Sequence, residues 1–272
     1  MNESALFLGD PPLKSVRKRR RLRTTLVVLG VVLILLSGLF TVYVADFSRA
    51  TPAALSALNS DSVVKVTSVK SGYVFVPVGE AQPIGLVVYP GGKVDEKAYA
   101  PLCRSLAEAG YPVALVRMPF HLAVFGIGLG ADGIRDLESA MMASGKPIPT
   151  RFVAAGHSLG GVMAARFALM DVGQVVGVAL WAAYSDQDLK PAALPATVIY
   201  GSEDKVLDLE AVAKAAGNLP AGTVTTVLDG GNHAGFGDYG AQSGDGTATI
   251  TKEAQHAAVV EAMKSFLAGL ES

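Results

Sequence analysis

Ser158 stands in Phe152-Val-Ala-Ala-Gly-His-Ser-Leu-Gly-Gly161, where an apolar run stops at a serine flanked by glycines. The residues before it read as a buried strand, and Val162, Ala165, Leu169 and Met170 after it recur at helical spacing. Ser158 therefore occupies a strand-to-helix turn so tight that only residues without bulk, here Gly156, Gly160 and Gly161, let the two backbones approach. Such a G-x-S-x-G turn holds a hydroxyl at the end of a sheet, beside helix N-terminal N–H groups that receive negative charge. That is equipment for nucleophilic attack on an acyl carbon. The bland alternative is a glycine-rich turn of the kind any α/β protein contains.

A serine hydroxyl needs a base to take its proton and a third group to fix that base's tautomer. Among the four histidines, His157 lies inside the turn and points away from Ser158 by strand geometry. His121 sits in an apolar loop, and His256 falls on the apolar stripe of the last helix. His233, in Asp229-Gly-Gly-Asn-His-Ala-Gly235, follows the last strand on a loop that must cross the sheet's C-terminal edge, which makes it the base. Tyr200-Gly-Ser-Glu-Asp-Lys205 follows another buried strand and brings Asp204 to the same edge, with Glu203 as the alternative acid. For the oxyanion, one donor is the N–H of Leu159 and a second comes from the Gly91-Gly92-Lys93 turn, through Gly92.

The elements that must position these groups alternate. Apolar, β-branched runs at 63–69, 73–78, 83–89, 112–118, 152–157, 175–181, 196–200 and 223–228 read as strands, with helices from about Tyr99, over 134–143, after Ser158 and from about Thr251. This predicts an α/β fold with a mostly parallel sheet and helices on both faces. Cys103 falls on the buried stripe of its helix and reads as core. Pro119 to Gly130 is apolar and glycine-rich, and Phe120, Leu122 and Phe125 within it read as a substrate-pocket wall. Gly128-x-Gly130-x-x-Gly133 fits a dinucleotide fingerprint formally, but a long loop-like insertion stands where the fingerprint demands an immediate strand-to-helix turn.

At 272 residues, half of them hydrophobic, the chain has room for one large domain and an N-terminal appendage. Residues 1–23 form a basic tail with seven Lys and Arg against Glu3 and Asp10, which leaves the remainder at about −6 beneath an overall −1. An acidic body argues against nucleic acid as a partner. From Leu26 to Ala45 no residue is charged, so 24–45 reads as a single-pass membrane helix with the basic tail cytoplasmic and the body extracytoplasmic. A cleaved signal peptide is the competing reading, but its n-region and apolar core would both be unusually long. Residues 46–61 read as a linker and 62–272 as the folded domain. One cysteine and no calcium-loop or zinc spacing give no expectation of a metal or cofactor. Nothing in the sequence speaks to oligomeric state.

Tyr89-Pro-Gly-Gly-Lys-Val94, Gly156-His-Ser-Leu-Gly-Gly161 and Gly231-Asn-His-Ala-Gly-Phe-Gly-Asp-Tyr-Gly240 together resemble the α/β-hydrolase superfamily, over most of 62–272. The likeness is to its "hydrolase fold 5" branch, near the dienelactone-hydrolase-like proteins, the histidine loop being more diagnostic of the branch than the elbow. The resemblance implies Ser158 as nucleophile, Asp204 as acid and His233 as base, in that superfamily's chain order. Dienelactone hydrolases proper carry cysteine at the elbow, where this chain has serine. Only a small excursion fits at 182–194, so the implied lid is minimal. The expected activity is a membrane-anchored serine hydrolase acting on a small-molecule carboxylic ester or related acyl bond. A thioesterase or peptidase, or a catalytically silent binding module, is the alternative.

Overall fold

A computed structural model of the chain describes residues 13–170 and 173–271; the part of the basic tail within residues 1–12 lies outside them. The chain divides into two compact units, the first ending at Asp46 and the second running from Phe47. The first is helix α1, Leu13–Ala45. Its stretch Lys18–Ala45 is long and apolar enough to cross a membrane, and none of its most apolar window is buried. That composition suits a single-pass anchor or a signal sequence.

The second unit is built on an eight-stranded sheet in the order β1-β2-β4-β3-β5-β6-β7-β8. The strands are β1 (Val64–Val69), β2 (Gly72–Pro77), β3 (Ile84–Tyr89), β4 (Val113–Val116), β5 (Arg151–His157), β6 (Val175–Trp181), β7 (Ala196–Gly201) and β8 (Val224–Leu228). β2 runs antiparallel to both β1 and β4, and every later pairing is parallel. β3 and β4 are buried at every residue, as continuous apolar runs without alternation require when both faces are covered. One face carries Leu102 and Leu106 of α3 (Ala100–Glu108) and Met263 and Leu267 of α7 (Lys252–Glu271), packed with Trp181 and Phe75. The other carries Ile134 and Leu137 of α4 (Leu129–Ala143) and Phe167 of α5 (Leu159–Ala168), packed with Phe152. Cys103 is fully buried in the first of these layers, and burial pushes its thiol pKa up.

Helix α4 begins five residues before its expected start, at Leu129. Two short helices have no counterpart in the sequence reading. One is α6, Leu209–Ala215, capped by Asp208, whose side chain accepts from the N–H groups of Glu210 and Ala211. The other, α2, Pro52–Ser56, lies in the stretch read as a linker, where Ala54 is fully buried and Ser48 pairs as a parallel bridge with Val94. Between β6 and β7 there are only turns, so the lid is minimal. Because β3 and β5 to β8 run one way, the segments that follow β3, β5, β7 and β8 all emerge at the same end of the sheet.

Candidate active site

Ser158 is the single residue between β5 and α5, with φ 53° and ψ −126°, far outside the regions open to an L-residue. Its N–H donates to Trp181 O at 2.9 Å, and its side chain is partly exposed. The glycines are obligatory: a Cβ on Gly160 would lie 2.3 Å from Pro90 O, and one on Gly156 2.5 Å from the Gly160 backbone.

His233 opens the short turn Ala234–Phe236 after β8. Its loop is clamped from two sides. Asp245 accepts from the N–H groups of His233 (3.3 Å) and Ala234 (2.8 Å). Gln255 of α7 accepts from Asn232 N–H (3.1 Å) and donates to Asn232 O (2.8 Å). The imidazole Nδ1–H donates to Asp204 Oδ2 at 2.8 Å, both side chains being almost inaccessible to solvent. Asp204 follows β7, and its other oxygen accepts from the N–H groups of Val206 (2.9 Å) and Leu207 (2.8 Å). Among the described residues the Glu203 carboxylate has the Ser202 hydroxyl at 3.5 Å and does not bond the imidazole. With Nδ1–H held by a carboxylate, Nε2 carries the lone pair, and this buried Nε2 has no hydrogen-bond partner. The Ser158 hydroxyl is thus not bonded to it in this resting geometry.

The structure brings one further side chain to His233. His157, expected to point away from Ser158, packs its ring 4.5 Å from the His233 ring and 5.3 Å from Phe236. Its Nδ1 lies 2.8 Å from Tyr99 Oη, which itself accepts from Gly91 N–H at 3.0 Å. The phenol's one proton is therefore available to Nδ1, which places the histidine's proton on Nε2. Burial, with the His233 imidazole alongside, holds His157 well below the ordinary histidine pKa, so it stays neutral. No local sequence pattern marks this contact, because Tyr99 and Phe236 reach it from distant elements.

In the turn after β3, Gly91 N–H is taken by Tyr99 and Lys93 N–H by His121 O at 2.7 Å. Gly92 N–H has no acceptor among the described residues. A Cβ on Gly92 would meet the Leu159 side chain at 2.9 Å, so this N–H stands beside the first residue of α5, where helical N–H groups also lack intrahelical acceptors.

A profile described as "Alpha/beta hydrolase family" matches residues 85–257. The chain belongs to the alpha/beta hydrolase family. A search of curated proteins returned no match. Among solved structures, the Pyrobaculum calidifontis esterase in its monoclinic form superposes with a TM-score of 0.54 at 19% identity, covering 79% of this chain and 88% of that one. At that identity the likeness is one of fold. With 767 solved chains matching, fold alone selects no substrate.

In this alpha/beta hydrolase the segment after β4 packs beside the Gly91–Lys93 turn. Leu122 is buried against Gly92, while Phe120 and Phe125 are half exposed, with their rings edge to face at 5.6 Å. Tyr89 Oη anchors the far end of that segment by accepting from Gly130 N–H (3.0 Å) and donating to Ile127 O. Gly130, part of the formal dinucleotide pattern, lies inside α4, and a Cβ there would come within 2.3 Å of that hydroxyl. Its glycine is thus explained by packing. Among the described residues no cluster of three or more His, Cys, Asp or Glu could hold a metal.

Proposed function

We propose that this alpha/beta hydrolase is a serine hydrolase that cleaves a carboxylic ester through an acyl-enzyme. Ser158 Oγ attacks the carbonyl carbon while His233 Nε2 takes its proton, and Asp204 holds the resulting imidazolium in place. The N–H groups of Leu159 and Gly92 receive the oxyanion, where one lost donor typically costs about 3 kcal/mol of barrier. The imidazolium then protonates the leaving alcohol, and water, activated by the same histidine, releases the acid. The observation that carries this reading is the buried His233–Asp204 bond, which leaves Nε2 as a base at the sheet edge that presents the strained Ser158. The Ser158–His233 bond has to form as substrate binds, which is common for catalytic contacts that are loose without ligand.

α1 serves in this reading as a single-pass anchor. The basic residues before its apolar stretch stay cytoplasmic and put the hydrolase domain outside the cell. Protease added to intact cells is then expected to cut the domain, and full protection would reverse the topology. Thioester or amide cleavage uses the same groups, and a substrate panel ranks the three.

A fluorophosphonate probe is expected to label the wild type and not Ser158→Ala; labelling that survives the substitution removes the nucleophile assignment. The absent Ser158–His233 bond favours one rival, a silent fold that binds a partner at the membrane. Turnover of a nitrophenyl ester, lost in His233→Ala, decides against it.

A further inference from the structure

The apolar stretch of α1 ends at Ala45, and the hydrolase unit begins at Phe47, so Asp46 alone separates them. At about 3.5 Å per residue, so short a connection cannot carry Phe47 farther than roughly 10 Å from Ala45. If α1 spans a membrane, Phe47 is tethered at that membrane's surface.

The first residues of the domain pack on the turn after β3 and the segment after β4. The Phe47 ring stacks on His121 at 3.8 Å with the planes 22° apart. Ser48 N–H donates to Lys93 O at 2.8 Å, and Ser48 O accepts from Asp95 N–H at 2.9 Å. The first two residues of the domain thus brace the Gly91–Lys93 turn and the segment after β4, the two pieces that flank Leu159. In the same segment Phe120, Val124 and Phe125 are 51%, 44% and 53% exposed, while Leu122 between them is turned inward. Phe120 and His121 hold φ of 57° and 55°, conformations unfavourable to residues with a Cβ and retained only where the surroundings impose them. Arg49, exposed, lies over the Phe47 ring at 4.7 Å and offers a cation to anionic headgroups. Two aromatics and a valine held outward beside a membrane exit, with an arginine at their edge, have the composition of an interfacial patch.

We infer that the mouth of the Ser158 site rests on the bilayer through Phe120, Val124 and Phe125, and that its substrate is a long-chain acyl ester resident in that membrane, its chain entering past Leu122. This rests on the serine-hydrolase reading and on α1 remaining as a span.

The test uses the full-length chain in phosphatidylcholine–phosphatidylglycerol vesicles. Val124→Cys, labelled with an environment-sensitive fluorophore, is expected to shift to the blue and to be quenched by nitroxide lipids. Val224→Cys, at the opposite end of the sheet on β8 and 61% exposed, is expected to show neither; Cys103 is buried and does not compete for label. Equal behaviour of the two labels overturns the docking. A twenty-residue Gly/Ser insertion between Asp46 and Phe47 is expected to leave hydrolysis of water-soluble nitrophenyl butyrate unchanged. It should lower hydrolysis of vesicle-dissolved nitrophenyl palmitate at least tenfold, and an unchanged palmitate-to-butyrate ratio overturns the substrate class. If the wild type hydrolyses neither ester, the hydrolase reading has failed and the substrate class with it, while the fluorescence arm still decides docking. N-terminal sequencing that finds α1 removed in cells overturns the inference.

Discussion

The two rims of the Ser158 site are held by different forces. On the side of β7 and β8, Asp204, His233, Asp245 and Gln255 are joined through hydrogen bonds in which nearly every polar atom has a partner, the exception being His233 Nε2. On the side of β3 and β4, the Gly91–Lys93 turn and residues 119–125 are held by backbone bonds, apolar contact and left-handed residues at Lys93, Phe120 and His121, with Phe120 and Phe125 about half exposed. A hydrogen-bonded rim fixes directions, which proton transfer needs. An apolar rim fixes shape, which in the proposed reaction would select the acyl chain. Substitutions on the first should therefore change kcat, and substitutions on the second KM.

The largest effect is expected from Asp204→Asn. The amide cannot stabilise the imidazolium and favours the wrong tautomer of His233, so kcat should fall about 10⁴-fold with KM nearly unchanged. A loss below tenfold in steady-state kinetics would mean that the carboxylate does not act through His233.

Acidification comes next, acting on stability. Burial, with Lys252 alongside, pushes His256 down to about 4 from an ordinary 6.5, and burial also lowers His157. At His256 the unfolded chain binds its proton near pH 6.5 and the folded one only near pH 4, so this contribution to stability is complete above about 6.5 and is lost as pH falls through that window; His157 acts in the same direction. For His256 the loss is on the order of 3 kcal/mol. Denaturant midpoints of wild type and His256→Leu from pH 7 to 4 check it: the variant should lose the corresponding part of the slope, and parallel curves contradict the assignment.

Gly91→Ala tests where the rims meet. A Cβ there would lie 2.7 Å from Tyr99 Oη and 2.9 Å from His157 Nδ1, both buried, so the variant should lose about 2 kcal/mol of stability. Activity should fall with it, because the displaced His157 ring leans on His233. Gly92→Ala makes its one close contact, 2.9 Å, with the movable end of the Leu159 side chain, with Leu159 Cβ at 3.4 Å and Leu122 Cδ2 at 3.8 Å beyond it, and should be milder. Thermal melts with the two variants in the reverse order would contradict this.

Much of this contrast is visible in the chain before folding, but unevenly. The strands are legible because buried parallel strands read as unbroken β-branched runs, and Ser158 is legible because close approach at the elbow admits only glycine at Gly156, Gly160 and Gly161. Which strand each loop follows is legible for the same reason. The contacts of His157 with Tyr99 and Phe236, the hold of Gln255 on Asn232, and the pairing of Ser48 with Val94 join residues from separate elements, and no period or spacing announces them. The helix at 209–215 was missed because seven residues are too few for a helical period to stand out, and its signal is the Asp208 cap alone.

The smallest effect is expected on the apolar rim. Phe120→Ala removes half-exposed aromatic surface, worth about 1 kcal/mol to a long acyl chain, so KM for a decanoyl ester should rise about fivefold and for an acetyl ester less than twofold. Equal rises for both chain lengths would remove Phe120 from the acyl wall.

The central claim is that the hydroxyl of Ser158 becomes acylated with the help of His233. Wild-type enzyme quenched in acid during turnover of nitrophenyl acetate and digested for mass spectrometry is expected to carry one acetyl group on the peptide containing Ser158, with His233→Ala carrying none. An acetyl group on another residue, or an equal amount on Ser158 in the His233→Ala variant, would contradict the account.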